Sequence, residues 1–193
     1  MYNNPFYKPD YSTLLGGISS LNPLFSLPPI KRKVFISFHH KNDQWAYDYF
    51  STKFSETHDI FHDRSIGETL VRSDDPEYVD RAIRDDYIKG SSLTIVLCGA
   101  ETFNRKYVDW EIHSTLHHEH ALLGIGLYNA PRNIHGHAIV PARLHHNIAS
   151  GYAHFITWVE DAVVLKNHID HAIQRSQQKS LIINHHEKMS RNS

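Results

Sequence analysis

The side chain best placed to take part in a reaction is Glu111, in the stretch Tyr107–Ile112. Val108, Ile112 and Leu116 recur every four residues and should face a sheet, which puts Glu111 about 100° around the helix from Ile112. A carboxylate at the border of a buried stripe can act on a molecule bound beside it. Spacing alone nevertheless favours the alternative, a solvated surface glutamate.

The elements around Glu111 predict an open parallel sheet. Leu93–Cys98 has almost no polar alternation, as expected for a central strand covered on both faces. Strands alternate with helices along the chain, which indicates an α/β fold with right-handed crossovers. Ligands in such sheets bind beyond the carboxyl ends of the strands. This rule selects Phe38–Asp43, Gly99–Arg105 and the residues from Asn129 onward.

The pattern of apolar residues sets the expected boundaries of the elements. Strands are predicted at 33–38, 58–61, 93–98, 121–128 and 153–156. Helices are predicted at 44–54, 76–90 and 105–120, with a last one that starts at Thr157, where Thr157 and Glu160 have capping-box spacing. Residues 129–151 have no clear period and are expected to be a loop or short irregular elements.

The chain is expected to divide into three parts. Residues 1–30 hold five of the eight prolines together with several large apolar side chains, which predicts an arm that packs on the domain or on a neighbouring subunit. Residues 31–175 form the α/β domain. Residues 176–193 are a polar C-terminal tail, which we expect to be mobile.

Composition excludes several classes of protein. The 20 basic and 21 acidic residues give a formal charge of −1, so a general nucleic-acid or membrane-surface binder is not expected. No apolar run is long enough to span a membrane, and the N-terminus does not resemble a signal peptide. The single cysteine, Cys98, allows no internal disulfide and fits a cytoplasmic location.

Two blocks of sequence resemble the TIR-like family. Val34–His39 with Lys41–Asp43 is similar to the first strand and following loop of TIR domains. Thr94–Gly99 with Thr102–Arg105 and Trp110–Ile112 is similar to their third-strand and third-helix block. The closest likeness is to the small TIR proteins of bacterial Thoeris anti-phage defence, over about 33–128. The resemblance implies a flavodoxin-like, TIR-type sheet flanked by helices.

The same resemblance implies an activity. In that family the glutamate of the third helix, matched here by Glu111, is catalytic for NAD cleavage, with NAD as substrate and no other cofactor. The family makes ADP-ribose-derived signals that activate a partner effector, and self-association into a homo-oligomer is compatible with it. Nicotinamide leaves as a neutral molecule, so one carboxylate that stabilises the oxocarbenium-like ribose suffices.

Further substrate contacts are expected near Glu111. Trp110, Tyr107 or Phe38 would stack on nicotinamide or adenine. Arg105 would meet the pyrophosphate as a bidentate donor, although a surface role is equally compatible with its position. Ser37 and His39, at the end of the first strand, would contact ribose, and His39 fits a solvated loop as well.

Other interpretations stay open at this point. A non-catalytic interaction module, or a nucleoside deoxyribosyltransferase-like enzyme with the same sheet and a carboxylate nucleophile, would share these elements. His113, His117 and His120 fall on one helical face, but a solvated face explains them better than a metal site, so no metal is expected. The loop 62–68 lacks the proline of many TIR domains. Ser37, His39 and Asp43 lack the G-x-S-x-G elbow of a hydrolase triad.

Overall fold

Five parallel strands form the sheet in a computed structural model that describes residues 32–55, 58–61 and 88–192. In chain order they are β1 (Arg32–Ser37), β2 (His58–Phe61), β3 (Leu93–Cys98), β4 (Ala121–Gly126) and β5 (His154–Thr157). Their order across the sheet is β2-β1-β3-β4-β5, the flavodoxin-like arrangement. The fold class predicted from the sequence is confirmed. Within the described residues, no helix is long and apolar enough to span a bilayer.

Four α-helices are present in the described residues. They are α1 (His40–Phe54), α2 (Lys106–His117), α3 (Ala142–Ser150) and α4 (Ala162–Arg175). Each strand–helix junction from β1, β3 and β5 places the start of a helix near the carboxyl edge of the sheet, where the ligand rule expects a site. The predicted helix at 76–90, the loop 62–68 and the arm 1–30 lie largely or wholly outside the described residues.

The central sheet is covered on both faces. Val34, Ile36, Ile95 and Leu97 point to one side, where α1 and α4 pack in one apolar cluster. Val96 and Cys98 point to the other side, where they form a second cluster of buried residues with Val108, Ile112 and Leu116 of α2 and Leu144 of α3. β3 therefore has six fully buried residues, as its lack of polar alternation predicts.

Helix α3 lies in the stretch for which the sequence predicted only a loop or irregular elements. Its buried face is built from Arg143, Leu144 and Asn147, so two of three buried positions are polar. An apolar period cannot reveal such a helix, because its polar side chains are buried through hydrogen bonds rather than through hydrophobicity. Gly151 ends the helix with φ 93°, a left-handed conformation that glycine adopts without strain.

The start of α4 also differs from the sequence prediction. Thr157 is the last residue of β5 and not a helix cap. Asp161 is the actual N-cap, and its side chain accepts hydrogen bonds from the backbone N–H groups of Val163 and Val164. The capping-box spacing at Thr157 was misleading because β5 extends one residue further than its apolar pattern.

The C-terminal tail is packed on the domain, contrary to the expectation that it is mobile. The backbone of Ile183 exchanges two hydrogen bonds with the Asn147 side chain, at 2.8 and 3.0 Å. Asn184 donates to the carbonyl of His113, and the Asn192 side chain accepts from the backbone N–H of Lys106. The tail thus joins α3 to α2. Part of its polar composition therefore serves hydrogen bonds to backbone groups of the domain.

Candidate functional site

A buried polar network lies at the carboxyl edge of the sheet, where β1 and β3 end. The Asp43 side chain, fully buried near the start of α1, accepts a hydrogen bond from Thr102 Oγ1 at 2.9 Å. Thr102 Oγ1 in turn accepts from the backbone N–H of Gly99 at 2.8 Å. Asn129, just after β4, donates to the other Asp43 oxygen at 3.4 Å. Three strand-end loops therefore meet at one carboxylate.

Gly99 is required for this arrangement. A Cβ at position 99 would overlap the carboxyl group of Asp43, so any other residue there would expel that side chain. The sequence pointed to the Gly99–Arg105 loop and to Asp43 separately. It did not predict that they form one buried contact, since residues 59 positions apart carry no shared spacing signal.

His39 and Arg105 lie beside this network. Burial lowers the pKa of His39, and the positive charge of Arg105 lowers it further, while Asp43 opposes the shift. Arg105 is the N-cap residue of α2 and forms an ion pair with Glu101. Two of the predicted substrate-binding residues therefore meet at the carboxyl edge, with a neutral imidazole favoured next to a guanidinium.

Glu111 lies lower on α2, on the flank that faces β3. Its side chain is buried, with a residue exposure of 9%. One turn further along, Thr115 Oγ1 contacts Thr94 Oγ1 of β3 at 2.6 Å and donates to the Glu111 carbonyl at 2.8 Å. By helix rise Glu111 is about 6 Å closer to the carboxyl edge than Thr115, so it lies near the middle of the sheet.

Ser37 shares this side of the sheet with Glu111. It pairs with Val96 of β3, whose side chain faces α2. Ser37 is 1% exposed, and its hydroxyl makes no hydrogen bond within the described part of the chain. A buried hydroxyl and a buried carboxylate thus occupy the same face of the sheet.

Two predicted stacking residues are placed away from this face. Phe38 is 4% exposed in the core and stacks on Tyr47 with ring centroids 5.0 Å apart. Trp110 is also 4% exposed, and its indole N–H donates to the carbonyl of Met189 in the tail at 2.7 Å. Neither ring presents a free face, so stacking on a ligand would require Phe38 to leave the core or the tail to leave Trp110.

Tyr107 and the histidines of α2 lie toward the outside of the helix. Tyr107 is half-buried and meets Trp110 edge-on at 5.8 Å, with the Lys106 ammonium over its ring. The His113 and His117 rings stack 6.5 Å apart. In the described ranges no group of three or more His, Cys, Asp or Glu side chains is arranged to hold a metal ion.

The neighbouring carboxylate of Asp109 has a structural role that the sequence did not indicate. Arg143 of α3 binds it with two hydrogen bonds, at 2.9 and 3.2 Å, and both side chains are buried. The backbone N–H of Met189 adds a third, at 2.9 Å. Arg143 also donates to Asn184 Oδ1 and to the carbonyls of His186 and Glu187. This buried ion pair fastens the tail to α2 and α3.

Comparison with solved structures finds a weak likeness. The TIR domains of a solved structure described as the activated Roq1 resistosome directly recognizing the pathogen effector XopQ are similar over 80% of this chain and 87% of that chain. The identity is 12% and the TM-score 0.35, a likeness too distant to inform function. No curated protein matches the chain significantly.

A family model gives the stronger result. The model of the Thoeris protein ThsB, TIR-like domain, matches residues 35–132, just over half of the chain. The matched range runs from β1 through β4 and includes α2 with Glu111. The resemblance inferred from the sequence is confirmed, and the protein belongs to the family of the TIR-like domain of Thoeris protein ThsB.

Proposed function

We propose that this domain cleaves NAD at the nicotinamide–ribose bond, with Glu111 as the catalytic carboxylate. The observation that carries the proposal is the position of Glu111: a carboxylate buried on the β3-facing flank of α2, on the same side of the sheet as Ser37. A charge in a buried setting acts more strongly on a developing cation than the same charge in water.

Cleavage of the nicotinamide–ribose bond requires little from the protein beyond that negative charge. Nicotinamide departs with the electrons of the glycosidic bond and becomes neutral, so the leaving group needs no proton. The ribose becomes oxocarbenium-like, and the Glu111 carboxylate stabilises it electrostatically. Ser37 and His39 supply polar contacts for ribose, and Arg105 supplies a guanidinium for pyrophosphate.

Family membership supports the biological part of the proposal. An ADP-ribose-derived product would act as a signal in anti-phage defence and activate a partner effector. The burial of Glu111 limits the access of water, which favours transfer of ADP-ribose to an internal or bound acceptor over simple hydrolysis. The product is therefore expected to be a cyclic or conjugated ADP-ribose.

Mass spectrometry of NAD incubated with the full chain tests this proposal. Wild type should release nicotinamide and an ADP-ribose-derived product, and Glu111→Gln should lose that activity. Glu160→Gln, at an exposed position, is the matched control and should behave as wild type. Equal activity in wild type and Glu111→Gln would remove this residue from the mechanism.

An exposed aromatic surface favours a second candidate, a non-catalytic interaction module. Tyr128 is 77% exposed and its ring lies 4.9 Å from Trp45, while Tyr49 lies 5.6 Å from Trp158. Aromatic side chains are enriched in protein interfaces. If association is the main activity, Tyr128→Ala should abolish partner binding or self-association, and Glu111→Gln should leave both unchanged.

A further inference from the structure

A cavity of about 390 Å³ lies at the carboxyl ends of β4 and β5, away from the flank of α2 that carries Glu111. Gly126 and Thr157, the last residues of the two strands, line it together with Phe155. The loop between β4 and α3 closes it from above, held by the bridge between Arg132 and Ala138. Nothing in the proposed reaction uses this cavity.

Its floor is an aromatic ring set into the sheet. Phe155 pairs with Gly124 in the register of β4 and β5. Cβ atoms at positions 124 and 126 would come within 2.8 and 3.0 Å of the Phe155 ring. The two glycines therefore let the ring lie along β4 instead of standing above it. Glycines inside a strand weaken it because they have no side chain to pack. Here they make room for the Phe155 ring.

The rim of the cavity is basic. Arg132, His137 and His145 all line it, and among the described residues that do so none is acidic. Arg132 uses one guanidinium nitrogen to hold the loop through the Gly136 carbonyl, at 2.8 Å. The described ion pairs do not include Arg132. Its remaining donors can serve an anion bound in the cavity.

We propose that this cavity binds a small aromatic anion: one ring system over Phe155 with a phosphate or carboxylate held at Arg132. Val140 and Ile148 supply an apolar wall for the ring. The volume is near the lower end of the range for ligand pockets, roughly 300–1,000 Å³, which fits a single ring system better than a dinucleotide. The site is thus distinct in place and in ligand from the proposed NAD site.

Calorimetric titration of the full chain with 1-naphthyl phosphate tests the proposal. We expect saturable binding, and weaker binding of 1-naphthol and of inorganic phosphate, which each lack one half of the recognised chemistry. Arg132→Gln should weaken binding by roughly ten- to hundredfold, the range for loss of a hydrogen bond to a charged group. Arg191→Gln makes the same charge change at an exposed position and should bind as wild type.

A second variant tests the aromatic floor. Gly126→Ala pushes on the Phe155 ring and should reduce the affinity for 1-naphthyl phosphate without changing that for inorganic phosphate. Glu111→Gln should bind the probe as wild type does, which separates this site from NAD cleavage. Absence of saturable binding, or equal affinity in wild type and Arg132→Gln, would overturn the proposal.

Discussion

Asp109 and Glu111 are two buried carboxylates, two residues apart on one helix, with opposite surroundings. By helix geometry they are about 200° apart around α2, so Asp109 faces α3 and the tail while Glu111 faces β3. Asp109 is neutralised by the buried guanidinium of Arg143. On the Glu111 flank, the Thr115 hydroxyl donates to the Glu111 backbone carbonyl and contacts Thr94 of β3. The comparison separates a carboxylate that holds the fold together from the one to which we assign the proposed chemistry.

The largest expected effect is on the Asp109 side. Arg143→Met leaves the Asp109 charge buried without its partner and should lower the free energy of unfolding by about 3–5 kcal/mol. Urea denaturation measures the change. Lys166→Met breaks the exposed ion pair with Asp170 and should cost less than about 1 kcal/mol.

Adding Asp109→Leu to Arg143→Met should restore part of the lost stability, because no unpaired charge then remains. If Arg143→Met proved as mild as Lys166→Met, the ion pair would not be the element that fastens the tail.

Glu111→Gln should act on rate instead of stability. The amide keeps the size and hydrogen-bonding shape but loses the charge, so kcat for NAD cleavage should fall by roughly two to three orders of magnitude. NAD affinity should change little, since the ground-state ribose carries less positive charge than the transition state. Turnover, NAD affinity and Tm are measured on one preparation. Loss of folding together with activity would recast Glu111 as structural and erase the contrast with Asp109.

Thr94→Val probes the hydroxyl pair beside Glu111. Thr115 donates to the Glu111 carbonyl, so Thr94 is the donor in the Thr94–Thr115 contact. Losing that one bond should cost about 1 kcal/mol, well below the effect of Arg143→Met. Thr52→Val, at an exposed position of α1, serves as the control in the same denaturation assay. A cost equal to that of Arg143→Met would show that both flanks of α2 are equally structural.

Apart from the two carboxylates, a histidine cluster of β5 and α4 makes the stability of the domain depend on pH. His154 of β5 lies 3.0 Å from His168, and burial, followed by repulsion from His171 and His168, lowers its pKa from 6.5 to about 4. The unfolded chain therefore binds an extra proton between these values, and stability is lost as pH falls from 6.5 toward 4. Tm should drop between pH 7 and 5, by less in His154→Gln. An identical drop in both proteins would exclude His154 as its source.

The sheet was predictable because its signal is local. β3 is a run of six buried residues that are apolar except for Thr94, and its bounds were predicted without error. Helix α3 was missed because Arg143 and Asn147 are buried through bonds to distant residues, such as Asp109 and Ile183. No window of sequence contains both partners. Elements that hydrophobicity alone stabilises can be predicted from sequence, whereas elements stabilised by long-range polar pairs cannot.

In the candidate site, too, some features could be predicted from the sequence and others could not. Family likeness selected Glu111, and the ligand rule for parallel sheets selected the strand-end loops. They did not reveal that Asp43, Gly99 and Thr102 form one network, or that Trp110 is covered by Met189. Spacing treats Asp109 and Glu111 alike, because both lie on the border of one apolar stripe. Only the elements packed on each flank distinguish them.

The attachment of the tail to α2 and α3 has a consequence for synthesis of the chain. Asp109 and Arg143 leave the ribosome before Asn184, His186, Glu187 and Met189, which complete the hydrogen bonds of their ion pair. Domains begin to fold while translation continues. A nascent chain that stops before residue 184 therefore holds a guanidinium with open donors at the junction of two helices. Incomplete chains would open there first, giving quality-control proteases a means to distinguish them from finished ones.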